Sequence, residues 1–124
     1  RLAAARAWSQ WEGRCLSLLP KPAVAAQFGE SHLALAMARI ECHYFMHQIF
    51  LRRNQLLDEA HRLSNIDGVI VHGRYDIVCP VDNAFALHAV WRRAKLRIVE
   101  DAGHAASESG IVDALIRATD TFVA

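Results

Sequence analysis

Gly68-Val69-Ile70-Val71-His72-Gly73 is a continuous apolar run bounded by glycines, and a second apolar run, Leu96-Arg97-Ile98-Val99-Glu100, follows downstream. Short runs of this kind between turn residues suit strands buried on both faces of a parallel sheet. Between them, Arg74 to Pro80 reads as a loop. Asp82 is placed to N-cap a helix reaching about Ala94, with Phe85, Val90 and Trp91 among its apolar residues. After a loop from Asp101 to Ser107, a last helix sets Ile111, Leu115, Ala118 and Phe122 on one face. The order β-α-β-α demands a parallel pair with a right-handed crossover. The fold class read from this is α/β. Two parallel strands are too few to stand alone.

Upstream, the pattern is helical throughout. Leu2 to about Leu19 reads as one or two helices, with a break expected at Gly13. Pro20 and Pro22 mark a turn, Pro22 opens a short helix from Ala23 to Phe28, and Gly29 ends it. Glu30 to about Phe50 is the longest periodic segment, with Leu33, Met37, Ile40 and Tyr44 on one face. Asn54 to Ser64 carries Leu56, Leu57, Ala60 and Leu63. The expected organisation is therefore a helical segment, residues 1–65, followed by an α/β segment, residues 66–124. The chain opens at Arg1 already in helical sequence, with neither an apolar h-region nor a cleavage pattern, and reads as part of a longer chain.

Composition narrows the classes. With 124 residues, 53% hydrophobic and 22% charged, the chain can bury a core and does not read as disordered. Lys plus Arg number 14 and Asp plus Glu 13, so no basic face for nucleic acid is expected. The longest run free of these residues, Cys42 to Leu51, falls far short of the ~20 that a membrane-spanning helix needs. Cys15, Cys42 and Cys79 are odd in number and widely spaced, with no C-x-x-C. That pattern fits a reducing, cytoplasmic location better than a disulfide scaffold.

In open parallel sheets, functional groups gather just past the carboxyl ends of strands. Asp76 follows the first strand and His104 follows the second. A carboxylate and an imidazole in those places can lie side by side. An Asp that accepts the Nδ1 proton of a His fixes its tautomer and stabilises the imidazolium, which is the orienting half of a Ser-His-Asp triad. The plain alternative is that aspartates are common in turns and that this is one histidine of seven.

Other residues have competing readings. Glu41 has Met37 and Phe45 four residues to either side, and Glu12 has Trp8 and Leu16. A carboxylate in an apolar stripe is costly unless it meets a cation or donors. Local partners would be Arg14 and Arg39, or water. His43 and His47 have the i, i+4 spacing of a metal pair, but no third ligand accompanies them, so no metal is expected. Cys79 reads as a small, partly buried residue. Trp8, Trp11 and Trp91 read as core, with Trp8 and Trp11 also placed to line a pocket. Arg92, Arg93 and Lys95 sit at a helix C-terminus, where the dipole favours cations.

Four stretches are specific together: VIVHGRYDIVCP (69–80), HAVWRRAKLRIVEDAGHA (88–105), WSQWEG (8–13) and ARIECHYF (38–45). In them the chain resembles the C-terminal part of the bacterial proline iminopeptidases (prolyl aminopeptidases), which are α/β-hydrolases. The resemblance runs over essentially the whole chain. It implies the end of a helical cap followed by the last two strands of the hydrolase core, with Asp76 as triad acid and His104 as triad base. It also implies that Glu12 and Glu41 bind the free ammonium of a substrate's N-terminal proline, with no cofactor. One stretch departs from the family: Ala105 to Ser109 stands where a bulkier aromatic and a proline are expected.

The nucleophile motif G-x-S-x-G is absent, and Ser9, Ser17, Ser31, Ser64, Ser107 and Ser109 sit in no such frame. The 124 residues alone are therefore expected to lack peptidase activity. Two alternatives stay open. One is a non-catalytic module that self-associates or docks on a missing N-terminal half through its unpaired strand edge. The other is a related hydrolase with an aspartate nucleophile, as in dehalogenases and epoxide hydrolases, which the upstream elbow would decide.

Overall fold

A computed structural model describes residues 1–123. It forms two compact units. One comprises Arg1–Cys15 and Leu19–Arg53; the other comprises Leu16–Leu18 and the chain from Asn54 onward. The short turns after Asn54 pack with the helix that joins the two strands.

The first unit is three helices: α1 (Leu2–Cys15), α2 (Pro22–Phe28) and α3 (Ser31–Met46). Helix α1 packs on both others. Its inner face is small: Ala5, Ser9 and Gly13, four residues apart, are its buried positions. Ser9 and Ala34 are 0% exposed, and the Ser9 hydroxyl donates to the Ala34 carbonyl at 3.4 Å. The break expected at Gly13 does not occur. A Cβ there would sit 3.0 Å from the Phe28 ring and 3.2 Å from the Ala25 backbone, so the missing side chain is what lets α2 approach. Close packing offsets the roughly 1 kcal/mol that glycine costs in a helix.

Helix α3 ends at Met46, short of Phe50. Gln48, Ile49 and Phe50 adopt φ of 54, 57 and 58°, a left-handed turn made without glycine. Such a turn costs about 1–2 kcal/mol per residue. Ring contacts accompany it: Phe50 stacks on His47 at 5.2 Å and meets Tyr44 edge-on at 5.5 Å.

The second unit begins with α4 (Gln55–Asp58) and a 3₁₀ turn (Ala60–Leu63), where a single helix was expected. Strands β1 (Gly68–Gly73) and β2 (Ala94–Val99) pair in parallel, in register from Gly68 with Ala94 to Gly73 with Val99. The crossover helix is α5 (Asp82–Val90), and α6 (Ser109–Asp120) also packs on both strands. Asp82 is not the N-cap. Val81 holds that position without a side-chain cap, and Asp82 lies in the first turn, where its charge suits the dipole.

The burial expected for β1 is corrected. Among the described residues the sheet has two strands, so Gly68 to His72 are half-buried and only Gly73 is buried. The core is built mostly of small residues: Ala60, Ala84, Ala94 and Ala102, with Ile111. Large apolar side chains such as Ile77 (71% exposed) and Phe122 (56%) remain open. No helix among the described residues is long and apolar enough to cross a membrane.

The small stripe on α1 is a steric requirement. Ser9→Leu is expected to destabilise the helical unit by at least about 1–3 kcal/mol through overpacking against Ala34. Denaturant unfolding followed by helical circular dichroism checks this; a variant as stable as the parent would show that the stripe is not tightly packed.

Candidate active site

Strand β1 stops at Gly73, and the backbone continues against the end of β2. The Arg74 N–H donates to the Val99 carbonyl at 2.9 Å, and the Tyr75 N–H to the Ala102 carbonyl at 3.0 Å. A Cβ on Gly73 would overlap the Gly103 carbonyl oxygen, so glycine is what allows the two loops to touch. The Arg74 side chain adds a bidentate pair with Glu100 at 2.9 and 3.0 Å.

This stitching brings Asp76 and His104 together, as the sequence predicts. Asp76 is buried at 8% exposure, and its Oδ2 accepts the His104 Nδ1–H at 2.9 Å. The other oxygen, Oδ1, accepts the Val78 N–H at 3.0 Å and the Cys79 N–H at 2.8 Å. The carboxylate is thus fixed by its own loop before it reaches the imidazole. An ionised carboxylate only accepts, so Nδ1 carries the proton and Nε2 is left free for proton transfer. The His104 side chain is 33% exposed against 5% for Asp76, so the imidazole is open to solvent while its partner is shielded.

His72, Cys79 and Glu108 surround the pair. His72 donates from Nε2 to the Cys79 carbonyl at 2.8 Å and lies 3.4 Å from Asp76 Oδ2. Cys79 is exposed, not partly buried as expected; partial desolvation and the Asp76 charge push its thiol pKa up, which disfavours the reactive thiolate. Glu108 accepts the Gly103 N–H at 2.7 Å beside the catalytic-type histidine. No local pattern in the sequence marks it, because the bond depends on how α6 meets the loop.

In the helical unit, Glu12 on α1 and Glu41 on α3 turn toward each other and not toward Arg14 or Arg39. The Trp8 indole N–H donates to Glu41 Oε2 at 2.5 Å. Burial, then a hydrogen bond to Glu41 and repulsion from its charge, raise the Glu12 pKa from 4.5 to about 7. Trp8 and Trp11 are 39% and 59% exposed, with ring centroids 5.8 Å apart, so they are not core as expected but border the carboxylates. Phe45 meets Trp8 edge-on at 6.4 Å.

The remaining candidates have structural partners. His43 and His47 have ring centroids 4.5 Å apart, but His47 Nδ1 donates to the His43 carbonyl at 2.6 Å. Among the described residues no group of three or more His, Cys, Asp or Glu is placed to hold a metal. Trp91 covers Gly68 and donates to the Ile66 carbonyl at 2.8 Å. Arg93 pairs with Asp67 at 2.6 Å.

No family model matches the chain. Over nearly its whole length, however, it is similar to proteins named proline iminopeptidase. It is 54% identical to that of Xylella fastidiosa (strain 9a5c) over 124 residues, 99% of this chain and 40% of the relative. Against that of Xanthomonas citri the identity is 51% over 123 residues, 98% of this chain and 39% of the relative. Against that of Arabidopsis thaliana it is 42% over 119 residues, 95% of this chain and 31% of the relative. The chain spans about 40% of the length of the bacterial relatives. The resemblance seen in the four sequence stretches therefore holds across the chain, and the mixed helix–strand fold with a small parallel sheet accords with part of an α/β-hydrolase homologue.

The raised pKa of Glu12 has a sign. Below about pH 4.5 both folded and unfolded states are protonated there; between 4.5 and about 7 only the folded state holds the proton. Stability is then lost as pH rises through that window. Glu12→Gln is expected to gain stability over the parent from pH 4.5 to about 7, with no difference below it. Urea unfolding at several pH values measures this; a gap between variant and parent that does not change with pH contradicts the carboxylate pair.

Proposed function

We propose that this chain supplies the acid, the base and the amine-binding carboxylates of a serine aminopeptidase that releases N-terminal proline. The observation that carries the reading is the 2.9 Å hydrogen bond from His104 to a buried Asp76, at the carboxyl ends of adjacent parallel strands. In that reading residues 1–65 are cap and 66–124 core, and the enzyme works in the cytoplasm, where Cys15, Cys42 and Cys79 stay free thiols.

The chemistry is acyl transfer. A serine from another part of the protein attacks the carbonyl carbon of the N-terminal proline. His104 Nε2 takes the hydroxyl proton, and Asp76 stabilises the imidazolium. His104 then protonates the leaving amine of the following residue, and water attacks the acyl-enzyme to free proline. Backbone N–H groups outside this chain would stabilise the oxyanion.

Glu12 and Glu41 give the free-amine requirement. A prolyl ammonium between the two carboxylates relieves their repulsion. A blocked N-terminus offers no cation and leaves the pair uncompensated, which penalises such substrates. Trp8, Trp11 and Phe45 supply aromatic surface for a proline ring.

The test uses a proline arylamide. The chain alone is expected to release nothing, since loss of a triad nucleophile costs on the order of 10⁶ in turnover. Fused behind the preceding portion of the Xylella fastidiosa relative, it is expected to be active and to be labelled by a fluorophosphonate. In that fusion Asp76→Asn should lower kcat by about 10⁴, and His104→Ala by at least as much. Full turnover by the His104 variant would refute the triad. Activity without fluorophosphonate labelling would point to an aspartate nucleophile.

A second reading has its own observation. Met46 (81% exposed), Ile77 (71%) and Leu19 (72%) leave much apolar surface open on a chain with an unpaired strand edge. The isolated chain should therefore self-associate, or dock on the missing half. Size-exclusion chromatography over a dilution series decides it: a dilution-stable monomer removes this reading.

A further inference from the structure

We propose that Glu108 is the positioning residue of the histidine turn, gripping the backbone beside His104 so that the imidazole meets Asp76. The inference rests on the triad reading given above. Glu108 immediately precedes α6, and its two carboxylate oxygens do separate work. Oε1 accepts the Gly103 N–H at 2.7 Å, and Oε2 accepts the Leu18 N–H at 3.3 Å. On the other side of the histidine, the Ala105 N–H donates to the Leu16 carbonyl at 2.7 Å. His104 is thus flanked by two anchored amides, one on Glu108 and one on the Leu16–Leu18 segment that Glu108 also holds.

The side chains nearby explain why such a grip is needed. The turn continues as Ala105-Ala106-Ser107, three small residues with little to pack. Gly103 has no side chain, and a Cβ there would come within 2.9 Å of the Leu18 nitrogen. The turn is held by hydrogen bonds in place of apolar anchorage. Charge-assisted bonds from backbone N–H to carboxylate are about twice as strong as neutral ones, and a carboxylate with two oxygens can bind two segments at once. Misplacing a catalytic group by about 1 Å can cost about 10²-fold in rate.

The active fusion described above is the test object. Glu108→Ala is expected to lower kcat 10- to 100-fold while KM for the proline arylamide stays within about twofold, because Glu12 and Glu41 are untouched. Glu108→Gln keeps one acceptor oxygen and should fall between the variant and the parent. Kinetics are taken at a temperature where circular dichroism shows each variant folded. The low-field proton signal of the His104 Nδ1–H is followed in parallel; it should weaken or broaden in Glu108→Ala. A role in stability alone would lower the melting temperature and leave kcat and that signal unchanged, which overturns the proposal. If His104→Ala itself stays active, the triad reading fails. If His104→Ala is inactive and Glu108→Ala keeps parental kcat, only the positioning role fails.

Discussion

A buried carboxylate needs donors, and Asp76 finds all of them in two loops. Its own turn supplies the amides of Val78 and Cys79, and the next strand's loop supplies His104. Desolvating an unpaired carboxylate would cost several kcal/mol, so these contacts decide where both loops sit. Gly73 permits the loops to touch, and Arg74 and Tyr75 extend the pairing of β1 beyond its last strand residue. The same geometry that satisfies Asp76 leaves the His104 side chain 33% exposed.

The helical unit solves a different problem with the same residue type. Glu12 and Glu41 are two like charges at close range, which is unfavourable unless a proton or a cation intervenes. The Trp8 indole satisfies one lone pair on Glu41 and holds it in place. Trp8, Trp11 and Phe45 leave open aromatic surface beside the pair, and the proposed recognition of a prolyl ammonium would draw on both.

The two strands, the crossover helix and the Asp76–His104 pairing could be read from sequence because each depends on local pattern: apolar runs bounded by glycine, and functional residues just past strand ends. The meeting of Glu12 with Glu41 could not, since it depends on how α1 lies against α3. That packing runs through Ala5, Ser9 and Gly13, which carry no apolar contrast to mark a buried face. The end of α3 was misplaced because a left-handed turn at Gln48, Ile49 and Phe50 uses none of the residues that usually signal one. Glu108 is silent for a similar reason: one of its two bonds joins residues 90 apart in sequence.

That separation has a consequence for when the histidine turn becomes ordered. Its seat draws on Leu16 and Leu18 and, 90 residues beyond Leu18, on Glu108. Closing so long a loop is entropically slow and comes late. Asp76 can meet the imidazole early, but the turn gains its full set of backbone bonds only once distant stretches of the polypeptide have met, so it doubles as a gauge of completed folding.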